Sequence, residues 1–414
     1  MTQDPPAQEH PKVRPLEAFP VQYEGREMIG IKDPVGLSPA IVFVPPETFY
    51  LMSLMDGTKD LRDLQAAYMR RYGTLLLSDK LQALIEQLNT HYLLENHRFR
   101  SYVSQLHADF KGQPIREAAF ANRGYAGEAA LLKAQLQGYF TEEQGPGLPV
   151  EGGEKKAIHG IVAPHIDFAR GGPCYAHAYK ALAEALPADL YVILGTCHTP
   201  MQHPFAFTAK AFTTPLGTAE ADKKLVEAIA NELPFDPFVD EFSHRSEHTI
   251  EFQVVFLQHL LEKKPFKIFP ILCGSLHEQI SQGISPWEDA NYQQTLSILK
   301  RRCREHGKVC IIASADLAHV GPQFGQREAV TRGTLAEVKQ KDLEMLRQAE
   351  EVNAEGFYQS IQREGDRRNI CGLPPIYALL HVIDADKGEV VNYQQWCDSQ
   401  GQGAVTFASM TFSS

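Results

Sequence analysis

Two rhythms of apolar residues run along this chain, and one gives way to the other near residue 110. Before that point the runs are short and periodic. "EMIGIKDP", from Glu27, alternates as a half-buried strand does and stops at the turn pair Asp33-Pro34. "PETFYLMSLMDG" reads as a helix halted by Asp56-Gly57. Leu61, Leu64, Ala67 and Tyr68 then recur at helical spacing as far as Gly73, with Thr58 placed as their N-cap. A third helix opens at Ser78 with a stripe of Leu81, Leu84, Ile85, Leu88 and Tyr92, and "LLENHRFRSYV" follows as a strand or wing.

After the change the runs are continuous. "AIHGIVAPH", "DLYVILGTCH", "FKIFPILCGS" and "VCIIASADLAH" are each apolar without polar alternation and end on small and polar residues. Strands buried on both faces read this way, and helical stretches separate several of them, so an α/β sheet with helices on both faces is expected. "EAALLKAQLQGYF" reads as an amphipathic helix, and "TEEQGPGLPVEGGEKKA" as a loop before the first buried strand. The expected organisation is a tail over residues 1–20, a small α+β domain over 21–108 and the α/β domain over 109–414. In such sheets ligands lie beyond the carboxyl ends of the strands. That singles out His165, His198, Asp316 and His319.

Composition narrows the class without naming a partner. The chain has 414 residues with a formal net charge of -11, which argues against a general binder of nucleic acid or anionic membrane. The third helix of the first domain carries too few basic residues to face phosphates. No run approaches the ~18 to 20 apolar residues of a membrane span, and the N-terminal stretch lacks the apolar core of a secretory signal. The seven cysteines are scattered without a CxxC pair, as expected of reduced thiols in a cytoplasmic protein.

Two histidines at equivalent strand ends can meet, and imidazole is a common metal ligand. Cys371, in "ICGLPPI" before a pair of helix-opening prolines, is either a thiolate ligand helped by the helix start or a small buried residue beside a turn. In "SHRSEHTIEFQ", Ser246 is placed as an N-cap, and His248 and Glu251 stand three apart. They are either a ring-orienting pair or a solvent-facing helix start. Cys197, Cys273 and Cys310 are expected to pack as small hydrophobes.

Read together, "IVAPHIDFARGGPCYAHAY", "VILGTCHTP", "FTTPLGTAEADKKL", "EHTIEFQ", "IIASADLAHVG", "ICGLPPI" and the closing "VNYQQW" with "GAVTFASMTF" resemble the Memo family over nearly all of residues 112 to 414. The pattern of residues 20 to 105 resembles PqqD-like winged-helix domains that recognise peptides by strand addition. The combination is similar to component B of AmmeMemoRadiSam systems. The resemblance implies an extradiol dioxygenase-like fold, metal ligands at His165, His198 and Cys371, and an acid-base role for His319 with Asp316. It places His248 and Glu251 in a pocket motif. Fe(II) is the implied metal, with copper or zinc as alternatives. The implied partners are the radical SAM and AMMECR-type proteins of the system and a peptide at the first domain, with no nucleic acid or membrane. A metal-dependent oxidoreductase is the leading expectation; an adaptor with a metal pocket and a zinc-dependent hydrolase are the rivals. The sequence departs from the family pattern around the ligands. Asp167 brings a carboxylate near His165 where relatives have glycine, Cys197 replaces a serine, and "FANRGYAG" distorts an alanine-glycine-aromatic signature.

Overall fold

A computed structural model describes residues 10–414 other than Glu24, Pro39, Glu151, Gly153, Glu154 and Lys263. Its contacts divide the chain into two units, Met1–Gly112 and Gln113–Ser414. In the first, β1 (Glu17–Tyr23), β2 (Arg26–Lys32) and β3 (Val42–Val44) form an antiparallel sheet in that order. The helices α1 (Pro46–Leu54), α2 (Leu61–Tyr72), α3 (Ser78–Thr90) and α4 (His97–Gly112) follow. Ile31 and Val44 of the sheet bury against Leu51, Leu64, Leu81, Ile85 and Leu88, where the two-residue rhythm of a strand meets the helical stripe.

Three local expectations are corrected here. Strand β1 opens inside the segment expected as a tail, and Lys12 and Val13 form bridges to Asp56 and Leu94; residues 1–9 lie outside the described residues. The cap of α2 is Asp60, in a reciprocal capping box with Asp63, because the Thr58 hydroxyl is held by Asp56 Oδ1. The stretch read as a strand or wing begins α4 instead. Asn96 Oδ1 accepts the Phe99 amide at 2.9 Å, satisfying a donor at the helix start.

The second unit opens with β4 (Ile115–Arg116) and α5 (Ala129–Thr141), then alternates β5 (Gly160–Ala163), α6 (Phe168–Glu184) and β6 (Leu190–Thr196). Short strands β7 (Phe205–Phe207), β8 (Ala211–Thr214) and β9 (Gly217–Ala221) lead to α7 (Lys223–Ala230), α8 (Thr249–Leu260) and β10 (Lys267–Cys273). Next come α9 (His277–Gln282), α10 (Ala290–His306), β11 (Val309–Ser314), β12 (Asp316–Val320), α11 (Arg332–Glu350), α12 (Ala354–Gln362) and α13 (Leu373–Val382). The hairpin partners β13 (Lys387–Cys397) and β14 (Ala404–Ser413) close the chain.

Among the described residues these strands form one eleven-stranded sheet, ordered β12-β14-β5-β11-β6-β10-β9-β8-β4 with β13 on β14 and β7 on β10. Its centre, β5-β11-β6-β10, is parallel. Alternate residues of these strands enter two cores: Ile161, Ile193 and Ile312 pack with α5, α6 and α8, while Val162, Val192 and Ile311 pack with α10, α12 and α13. The α/β expectation with helices on both faces therefore holds. Parallel alignment also puts the ends of β5, β6 and β11 side by side, which decides where the histidines go. Among the described residues no helix is long and apolar enough to cross a membrane.

Candidate metal centre

His165 follows β5, His198 follows β6, and Cys371 lies in the turn that opens α13. They converge at the carboxyl edge of the sheet, offering three ligand atoms all within 4.8 Å of one another. Each imidazole is oriented by a bond through its other nitrogen. His165 Nδ1 donates to the Ser314 carbonyl at 3.0 Å, and His198 Nδ1 to the Glu247 carboxylate at 3.1 Å, which leaves Nε2 of both rings as the donors to the shared space. Cys371 Sγ is 3.1 Å from His165 Nε2. The turn that carries it sits tight on its neighbour: a Cβ at Gly372 would come 2.2 Å from the Asp316 carbonyl.

The donor set fits a soft or borderline divalent ion. Burial, followed by the nearby Asp316 carboxylate, pushes the Cys371 thiol well above its usual range. A thiolate at this depth therefore needs a cation beside it. Burial likewise holds His165 far below the usual range, keeping it neutral and able to ligate.

The centre has a third imidazole and a carboxylate that binds two rings. The His165, His198 and His248 centroids lie 5.1 to 5.5 Å apart. Glu247 accepts from Nδ1 of both His198 and His248, the latter at 3.0 Å, and from the amides of His198, His248 and Thr249. Burial alone would raise the Glu247 carboxyl, but its bonds to the two histidines outweigh that and hold it well below the carboxylate range. The same pairing lifts His198 against the downward push of burial. Glu247→Gln keeps the size and loses the charge and one acceptor, so metal affinity is expected to fall by roughly 10 to 100-fold, measured by chelator competition. Unchanged affinity would show that the two imidazoles need no common anchor.

A sequence profile of the family described as Memo-like protein matches residues 116–411. The chain belongs to the Memo-like family. A MEMO1 family protein of Aquifex aeolicus is 27% identical over 405 residues, covering 97% of this chain and 99% of the relative. One from Pyrococcus furiosus is 32% identical over 264 residues, covering 62% of this chain and 83% of its own length. One from Methanosarcina barkeri is 28% identical over 283 residues, covering 67% and 92%. The Memo-like unit is thus shared with all three, while the Aquifex protein also aligns with the first unit.

Around this Memo-like centre, several residues stand elsewhere than the sequence reading put them. Asp167 does not join the cluster: it caps α6, accepting from the Arg170 amide and, at 2.5 Å, from Arg170 Nε. Asp316 does not orient His319. Its Oδ1 takes the amides of His165 and Ile166 at 2.9 and 3.1 Å, while His319 Nδ1 donates to the Leu317 carbonyl at 3.2 Å. Burial raises the Asp316 carboxyl and lowers the His319 imidazole. Cys197 is buried beside His198, its thiol held by the Thr199 carbonyl at 3.3 Å.

Helix α8 starts later than its sequence suggests. His248, not Ser246, is the N-cap, and the first amides are met by Glu247 rather than by a serine hydroxyl. Glu251 therefore turns away from the pocket. Fully buried, it bonds Arg116 and Tyr125 and accepts the amides of Ala119 and Phe120 at 3.0 and 2.9 Å. Sequence reasoning missed Glu247, although its place before His248 at a helix start was a usable signal.

Above the imidazoles lies a cavity of about 430 Å³ whose lining includes His165, His198, His248 and His319. A second, of about 340 Å³, reaches His198 and Cys371 from another side, between Cys197, His277 and Asp366.

Proposed function

We propose that this chain is a metal-dependent oxidoreductase of the Memo-like family, with iron(II) held by His165, His198 and Cys371. The observation that carries the reading is the convergence of those three donors, with His165 and His198 lining one small-molecule cavity and His198 and Cys371 a second. Iron held by His165, His198 and Cys371 would supply redox and Lewis-acid chemistry.

The chain's own residues do the rest. Glu247 fixes His198 and His248 in one orientation, so the site pays little reorganisation when substrate arrives. His319, whose imidazole burial pushes below its usual range and whose Nδ1 donates to the Leu317 carbonyl, lines the cavity as the ring that would take a proton from substrate and return it. Phe120 and Phe324 flank the histidines and limit water in the cavity. The first unit, in this proposal, docks a peptide or a radical SAM or AMMECR-type partner.

The test is anaerobic purification with metal analysis, followed by iron(II) reconstitution and an oxygen electrode. Stoichiometric iron and oxygen uptake that depends on added reductant or substrate are expected. Full occupancy by zinc, with no oxygen uptake after iron loading, would sink the oxidoreductase reading in favour of hydrolysis by a metal-activated water.

A further inference from the structure

Among the described residues, one cation on the wall of the upper cavity has no carboxylate partner. Two carboxylates face this space: Asp167 is paired with Arg170, and Asp316 takes the amides of His165 and Ile166 on Oδ1 while its Oδ2 lies 3.7 Å from His165 Nε2. The Arg170 charge is taken up by Asp167 and by the Trp396 ring, 4.6 Å from its guanidinium. Arg123 differs. Among the described residues it has no carboxylate partner, and its guanidinium lies over the Phe120 ring at 5.5 Å.

Arg123 is also mounted on a rigid support. The Arg123 and Gly124 amides both donate to the Phe120 carbonyl, at 2.9 and 2.8 Å, and Asn122 holds the turn at a φ of 62°. Beneath it, the fully buried Glu251 grips the Ala119 and Phe120 amides and the Tyr125 hydroxyl. Gly124 lets the turn lie close against α8, since a Cβ there would come 2.7 Å from the Phe252 ring. An exposed guanidinium carried on a held turn beside an aromatic face can receive a planar oxyanion, because two parallel N–H donors match a carboxylate.

We infer that the upper cavity selects a small, planar, carboxylate-bearing molecule, with its anionic end on Arg123 and its body beside Phe120, over the imidazoles. This deepens the proposed function, resting on its reading of the cavity as the substrate chamber. Arg123 would act as a specificity residue, fixing which end of the molecule faces His165 and His198.

The test compares benzoate with benzamide, alike in shape and different in charge, by saturation-transfer NMR on the full chain, zinc-loaded and metal-free, with metal content measured on each sample. The wild type is expected to bind benzoate about tenfold more tightly, a difference of about 1.4 kcal/mol. Arg123→Gln should bring the two ligands to near parity, while Arg123→Lys should keep part of the preference because it keeps the charge. Equal binding by the wild type, or a preference that survives Arg123→Gln, overturns the inference. A preference seen in protein that takes up no metal supports it while sinking the metal reading; full loading without a preference sinks this inference alone.

Discussion

Cys371→Ala is expected to abolish stoichiometric metal binding while leaving the apo fold intact. The thiol is the only anionic donor of the three-ligand group, and the other two are neutral imidazoles. Its removal takes away a ligand and also the charge that offsets a divalent ion, so the loss should exceed the roughly 10 to 100-fold that follows removal of an orienting partner. The fold should tolerate the change because a half-buried, uncharged thiol acts as a small hydrophobe. Elemental analysis after anaerobic loading, with thermal unfolding of both forms, checks this. Wild-type protein should gain about 4 kcal/mol when metal is supplied at a thousand times its Kd, and the variant none. Metal retained by the variant at wild-type stoichiometry would remove Cys371 from the ligand set.

The second large effect lies in the first turn of α8. Glu251 and Arg116 are 0% and 1% exposed, and they are paired. Glu251→Ala leaves that guanidinium buried without its carboxylate and strips acceptors from the Ala119 and Phe120 amides and the Tyr125 hydroxyl. Breaking a buried pair from one side costs about 3 to 5 kcal/mol. With a urea slope of about 1 to 3 kcal/mol/M, the midpoint should fall by roughly 1 M or more. The chain's two tryptophans, Trp287 and Trp396, both lie in the second unit, so their fluorescence reports on this unit directly. An unchanged midpoint would show that the cluster contributes no net stability.

These residues mark where the chain could be read unaided and where it could not. His165 and His198 were legible as candidates because unbroken apolar strands announce a parallel sheet, and parallel strands bring their carboxyl ends together; Cys371, in a turn before a helix and not at a strand end, joined them only through the family resemblance. Glu251 was misplaced because the spacing argument assumed that the helix already ran through His248. With His248 as the N-cap, the three-residue offset no longer puts both on one face. Its true partner, Arg116, is 135 residues away, a distance across which charge pairing leaves no periodic trace. Glu247 escaped notice for the opposite reason. A carboxylate next to a histidine at a helix start looks like ordinary solvated polarity, and only the end of β6 folding beside it turns it into an anchor. In the first unit, "NHRFRS" has strand-like alternation, but Asn96 supplies the cap that commits it to α4.

Glu247 sits at the first turn of α8 and at the imidazole pair together, closing amides of the helix with the same two oxygens that hold His198 and His248. Fraying of that turn and loosening of the ligands are therefore a single opening event. Release of an ion held there should then be limited by the breathing of one helix end, and a bound ion should slow amide exchange at Thr249 and Ile250 as it occupies the site.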